Sequence, residues 1–372
     1  MSEAAAGKVV ILIMLAIALW GLSTSIHKPH PMSQPLEPQE TSKENKPMAG
    51  SDNQAPQVLR VPQDYTQIQA AIDAAPEGST IFIGPGVYRE RLVIRKSLTL
   101  LGEGAEQTVI DGSAVAASSK EKLALLVTLR IGGSLSEPGG RPLEVSIGRI
   151  AIIASQEKPP SSSNTINLNH AIYIASPTQV TLWSSQISGA FGVSMDSGTR
   201  LASWQNQISS SIVGISTGPG EPSTIFSDGD IIRPPGHHQG TGIKLSNTQA
   251  ILSHATIEDT GVGILIVAGS QVKIERSTIQ RNEVGIAVGG TMGGDASLDM
   301  SLSQVINNQT YGVALIQPPC FPNLLPEPEP GIPPPPPPSI QVFGGGNTIT
   351  GNGKADFCPA YPGPPWPPLF VK

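Results

Sequence analysis

Between residues 242 and 315 the chain repeats one short arrangement, a glycine followed by alternating aliphatic residues. The four copies are Gly242-Ile243-Lys244-Leu245, Gly263-Ile264-Leu265-Ile266, Gly285-Ile286-Ala287-Val288 and Gly312-Val313-Ala314-Leu315. Alternation with a period of two marks strands with one buried face. Glycine spacings of 21, 22 and 27 residues mark short coils stacked as a solenoid. Ile243 and Leu245, Ile264 and Ile266, Ile286 and Val288, and Val313 and Leu315 are expected to point inward, each stacked on its equivalent one strand spacing away. A second element recurs before each chain reversal, anchored on Ile187, Ile208, Ile231, Ile257, Ile279, Val305 and Ile349. Its last step is 44 residues, because the proline-rich stretch 317–339 interrupts it as a loop or polyproline II excursion. Residues 234–240 form another excursion, and 113–165 are the least regular part.

Upstream, Asp64 to Ala75 reads as a short amphipathic helix. Thr66 is the expected N-cap and Gln69 completes a capping box. Ile68, Ala71, Ile72 and Ala75 share one face, and Pro76-Glu77-Gly78 ends it. A solenoid leaves apolar residues and unpaired strands at its open end, and a helix there is the expected plug. Short strands follow at Thr80–Ile83, Leu92–Ile94 and Leu98–Gly102, with Gly84-Pro85-Gly86 as a turn.

This opening carries a resemblance. The segments 65–75, Gly84-Pro85-Gly86-Val87-Tyr88-Arg89-Glu90, Leu98-Thr99-Leu100-Leu101-Gly102-Glu103-Gly104 and Thr108-Val109-Ile110-Asp111-Gly112 resemble the start of right-handed parallel β-helix proteins of the pectin lyase-like fold. Pectinesterases and the periplasmic copper-maturation β-helix proteins of nitrous-oxide reduction are among them. The resemblance implies an all-β fold, a single-stranded right-handed parallel β-helix with a short N-terminal capping helix and roughly nine to eleven coils. It does not extend to catalytic motifs. The later Gln-Asp-Thr and Asp-Phe-x-Phe-Gly segments of pectinesterases are absent, and Asp356-Phe357-Cys358 does not match them. Gly236-His237-His238 and Gly242-Ile243-Lys244 match the polygalacturonase series only loosely and at compressed spacing, so no role is carried over.

Composition adds bounds. Aromatics at 4% and charged residues at 14% suit thin, repetitive β-layers better than a thick mixed core. A net charge of −6 with no basic run argues against nucleic acid as a partner. Lys8 is followed by an apolar run of 14 residues, Val9 to Leu22, short for a membrane span and suited to an export signal. A cleaved signal peptide and an uncleaved membrane anchor both remain open, and either places the rest of the chain outside the cytoplasm. The expected organisation is a signal or anchor over 1–26, a polar linker over 27–57, the β-helix over 58–358 with its 317–339 excursion, and a proline-rich tail over 359–372. Cys320 and Cys358 are the two cysteines. Outside the cytoplasm they form either a disulfide or two buried thiols.

Candidate chemistry comes from aligning coils on the anchors. Three residues back, the column reads Ser184, Gln205, Asp228, His254, Arg276, Leu302. One residue back it reads Gln186, Gln207, Asp230, Thr256, Thr278, Gln304, Thr348, polar throughout and expected to face solvent or a cleft. On a catalytic reading, Asp228 or Asp230 is a general acid or base tuned by His254, and Arg276 or Lys244 holds an anionic sugar. On a structural reading these residues are a polar surface ladder of low energetic value. His237 and His238 are further candidate ligand-binding residues, but adjacent loop histidines without a spaced His or Cys set do not make a metal site. No metal and no cofactor is expected. Asn282, Asn308 and Asn352 form an expected turn ladder. The functional expectation is an exported protein that binds, and on one reading cleaves, polysaccharide. The alternatives are a non-catalytic surface scaffold or adhesion protein and a periplasmic accessory of metal-site maturation.

Overall fold

The computed structural model describes residues 55–115, 126–133, 142–155, 169–236, 239–267, 269–289, 295–316, 320–321 and 340–359. The expected leader, nearly all of the expected linker and tail, most of the 317–339 excursion, and His237 and His238 lie outside the described residues. Among the described residues, no helix is long and apolar enough to cross a membrane.

Parallel strands coil around one aliphatic core with three walls. The first wall holds eleven strands, from Val58–Val61 to Ile340–Gly345, each paired in parallel with the strand one coil away. The other eighteen strands share one hydrogen-bonded sheet that folds around a corner. Its first limb, the second wall, runs from Gly86–Tyr88 through Thr108–Asp111 and Ala151–Ile153 to Thr348–Thr350. Its other limb, the third wall, runs from Leu92–Ile94 through Leu126–Ile131 and Asn169–Ile174 to Ala355–Cys358. Gln186–Met195 and Gln207–Thr217 are long enough to span both limbs, with a shift in register at the corner between Gly189 and Phe191.

Inward residues stack as the alternation requires. Ile243, Ile264, Ile286 and Val313 are direct neighbours on successive coils and have no exposed surface. Burying each aliphatic side chain contributes about 1.5–3 kcal/mol. The recurring glycines stand at the corner between second and third walls. A Cβ on Gly242, Gly263 or Gly285 would meet the carbonyl oxygen of the next glycine in the column at 2.5 Å. The glycine is required there by close approach of backbones.

The same corner carries the asparagine ladder. The N–H groups of Thr260, Asn282 and Asn308 donate at 3.0 Å to the side-chain oxygens of Asn282, Asn308 and Asn352. Asp356 Oδ1 closes the ladder by accepting from Asn352. Buried turn amides are thereby satisfied from the neighbouring coil.

At the open N-terminal end, the helix spans Ile68–Ala74 and buries Ile68, Ala71 and Ile72. Its cap differs from the capping box expected from sequence. Gln67 stands at the N-cap without a side-chain bond. The carboxylate of Glu90 instead accepts from the Ile68 and Gln69 N–H groups at 2.9 and 3.0 Å. Gln69 is recruited as a surrogate strand, its amide pairing with both the N–H and the carbonyl of Val93. At the other end Cys320 and Cys358 form a disulfide.

Candidate functional site

The first-wall strands from Leu143–Gly148 onward present three outward positions per coil. The polar rim reads Gln179, Arg200, Thr224, Gln249 and Gln271 in register. The middle column holds Phe226 and Ile251, whose exposure of 37% and 42% is high for large apolar side chains. The third column runs Phe82, Leu101, Gly148, Trp183, Trp204, Asp228, Ser253 and Glu275.

Trp183 is seated on the preceding coil. A Cβ at Gly148 would meet its ring atom Cε2 at 2.0 Å, so the glycine is the recess into which the indole lies. Trp183 and Trp204 are register partners, and both are half-buried. Trp204 in turn lies 5.9 Å from Phe226, centre to centre, at 56°. Rings packed on their own wall offer a platform of negative π-faces that suit the C–H groups of a ligand, with Phe226 in the middle column between them and a ladder of amide and hydroxyl donors and acceptors.

Asp228 and His254 sit at the edge of this platform. His254 Nδ1 is 2.8 Å from Asp228 Oδ1, and both side chains are substantially exposed. One coil on, Glu275 is held below the usual carboxylate range by a hydrogen bond from Lys273.

The remaining sequence-derived candidates separate. Ile231 is the expected anchor of this coil, whereas Ile232 pairs with Ile208 and Ile257 and is the buried residue. The two isoleucines are adjacent and identical, so sequence does not distinguish them, and every residue before them shifts by one column. The position three before the anchors is a left-handed turn occupied by Arg149, Ser184, Gln205, Gly229, His254, Arg276 and Leu302, with φ from 47° to 70°. Gly229, not Asp228, belongs to that column.

Asp230 moves from an expected solvent-facing position to one with no exposed surface. It accepts from the Asn206 N–H at 2.8 Å, and the Ser227 hydroxyl donates to it at 2.6 Å. Burial pushes its carboxyl up. Asp230 thus knits two turns together and does not join Asp228 in a cleft. Arg276 is exposed, one coil beyond His254 in the turn column. Lys244 stands on the third wall, between Ser216 and Leu265, where burial pushes its amine down. It is not part of the first-wall face.

A second polar cluster lies outside the core on the third wall. His170 stacks on Phe191 at 4.7 Å and meets Tyr173 edge-on at 5.8 Å. Its Nδ1 is 2.7 Å from Ser194 Oγ, while its buried Nε2 has no hydrogen-bond partner. The Tyr173 hydroxyl donates to Asp196. His170 and Tyr173 are buried, at 0% and 3% exposure. Among the described residues, no group of three or more His, Cys, Asp or Glu side chains is placed to hold a metal ion.

The aromatic platform was missed in sequence. Trp183 and Trp204 stand 21 residues apart, one coil repeat, and that spacing was the available signal.

Comparison with known proteins places the family model described as a right handed beta helix region over residues 153–317. Among solved structures, pectin methylesterase from carrot is 15% identical, covering 81% of this chain and 84% of its own, with a TM-score of 0.41. Pectin methylesterase from Yersinia enterocolitica is 17% identical, with coverage of 64% and 79% and a TM-score of 0.40. The A-module of the Azotobacter vinelandii mannuronan C-5 epimerase AlgE4 is 13% identical, with coverage of 80% and 93% and a TM-score of 0.33. None of these superpositions is close enough to transfer a residue or an activity. No curated protein matches the chain.

Proposed function

Taking the chain as a right-handed parallel β-helix repeat protein, we propose that it is an exported protein that binds a polysaccharide on the outer face of its first wall. The observation that carries this reading is the seating of Trp183 over Gly148, continued by Trp204 and Phe226 on the same wall as the Gln179–Gln271 rim. Half-buried rings on the same outer face as a regular polar ladder suit a ligand whose residues alternate C–H faces and hydroxyl edges. The Cys320–Cys358 disulfide supports an oxidising, extracytoplasmic location. Extended ligands suit an extended wall, and this step from fold to ligand class is one of analogy.

A second reading, processing of the bound glycan, draws on the Asp228–His254 contact at the platform edge. It assigns Asp228 general acid–base work with His254 orienting it.

Glycan-array binding by the wild type, Trp204→Ala and Asp228→Asn separates the readings. Trp204→Ala is expected to weaken binding by about tenfold or more, the scale of one lost aromatic anchor. Asp228→Asn is expected to bind as the wild type does. Absence of any glycan ligand, or equal binding by Trp204→Ala, rejects the platform. Turnover of a bound glycan by wild type, lost in Asp228→Asn, establishes the processing reading.

A further inference from the structure

Where the cap helix crosses the first coil, a depression of about 480 Å³ is lined by Gln69, Ile72, Asp73, Arg91, Arg95 and Lys96. Its charge runs against the molecule. The chain carries a net −6, yet Arg91, Arg95 and Lys96 place three positive charges on the lining of this depression. The carboxylate next to Arg91 in sequence, Glu90, is committed to the helix N-terminus. The carboxylate on the lining, Asp73, accepts from the neutral Gln69 amide at 2.8 Å and keeps its charge, which Arg91, Arg95 and Lys96 outnumber three to one.

The cations are fixed in different ways. Arg91 donates from Nε and Nη2 to the carbonyls of Gly112 and Val115. Lys96 Nζ donates to the carbonyls of Asp73 and Ala75 at the end of the helix. Both are anchored by neutral acceptors, which hold their positions without cancelling their charge. Arg95 is exposed, and among the described residues no carbonyl anchors its guanidinium.

We propose that this depression is an oxyanion-binding site, for a single carboxylate, sulfate or phosphate group. Anchored Arg91 and Lys96 supply a preorganised field, and Arg95 supplies the guanidinium fork that grips the two oxygens of the ligand. The site lies at the N-terminal end of the coil stack and is independent of the first-wall platform.

Calorimetric titration at low ionic strength tests it, using the full chain with sodium sulfate, galacturonate and neutral galactose as probes. Sulfate or galacturonate is expected to bind saturably with a Kd in the range of about 0.1–10 mM, and galactose is not. Arg95→Gln is expected to weaken anion binding by about tenfold with an unchanged circular dichroism spectrum, because Arg95 supports no part of the fold. Trp204→Ala is expected to leave it unaltered. Sulfate binding without galacturonate identifies a free inorganic anion as the ligand, and the converse identifies a sugar carboxylate. Lack of saturable binding by either anion overturns the site, as does galactose binding as tightly as galacturonate, or Arg95→Gln binding as tightly as wild type.

Discussion

His170 shows how much one enclosed side chain sets. It is held neutral between Phe191 and Tyr173, with burial pushing its pKa down to about 3 from the ordinary 6.5. Between those values the unfolded chain takes up a proton that the folded chain excludes. The contribution of His170 to stability therefore falls as pH drops below about 6.5 and stops falling near 3. Asp230 works in the opposite sense. Its raised carboxyl pKa stabilises the fold at acid pH, and that contribution is lost as pH rises through the carboxylate range. Denaturant midpoints between pH 4 and 7 are expected to decline toward acid in wild type and to flatten in His170→Phe. An equally steep decline in that variant contradicts the assignment.

At the scale of the element, each coil is a poor structure alone and a good one when stacked. Its turn amides find partners in the neighbouring coil, through Asn282, Asn308 and Asn352 on one corner and Asn206 and Asp230 on another. Its corner glycine admits the next backbone. Gly263→Ala is expected to cost about 2–3 kcal/mol, since the new Cβ meets a carbonyl oxygen and not a yielding side chain. Gly236→Ala is the control, with nothing within 4 Å of the added Cβ. Urea unfolding of the two variants measures the difference. Equal stabilities would mean that the coils are not packed at this spacing.

Across the whole molecule, the two ends of the stack are closed by different means. The first coil is plugged by the helix, with Glu90 on its N-terminus and Gln69 paired to Val93. The last strand, Ala355–Cys358, is held by the ladder cap Asp356 and by the bond from Cys358 to Cys320, 38 residues away in sequence. A solenoid's stability is local to each repeat and its neighbours, so reduction is expected to fray this end first. Closing a loop of that length contributes about 3–4 kcal/mol in the chain-entropy model. Hydrogen exchange with and without reductant tests this. Faster exchange confined to residues 340–359 is expected, whereas uniform acceleration along the chain would show a single cooperative unit.

Much of this was written in the order of residues. Alternating aliphatics after a recurring glycine specify coils because period two and a repeat near 22 leave one economical arrangement, inward residues piled in register. The helical plug is likewise local, since its apolar face is spaced for one. What sequence could not carry was the choice between neighbouring residues of the same kind. Ile231 and Ile232 serve equally well as an anchor on paper, and only strand pairing assigns Ile232 to the core, burying Asp230 and leaving Asp228 at the surface beside His254. The cap on the helix, Glu90, and the seat of Trp183, Gly148, come from coils distant in sequence. Contacts of that kind exist only once the coils are stacked, because side chains more than twenty residues apart become neighbours through the rise of a single strand.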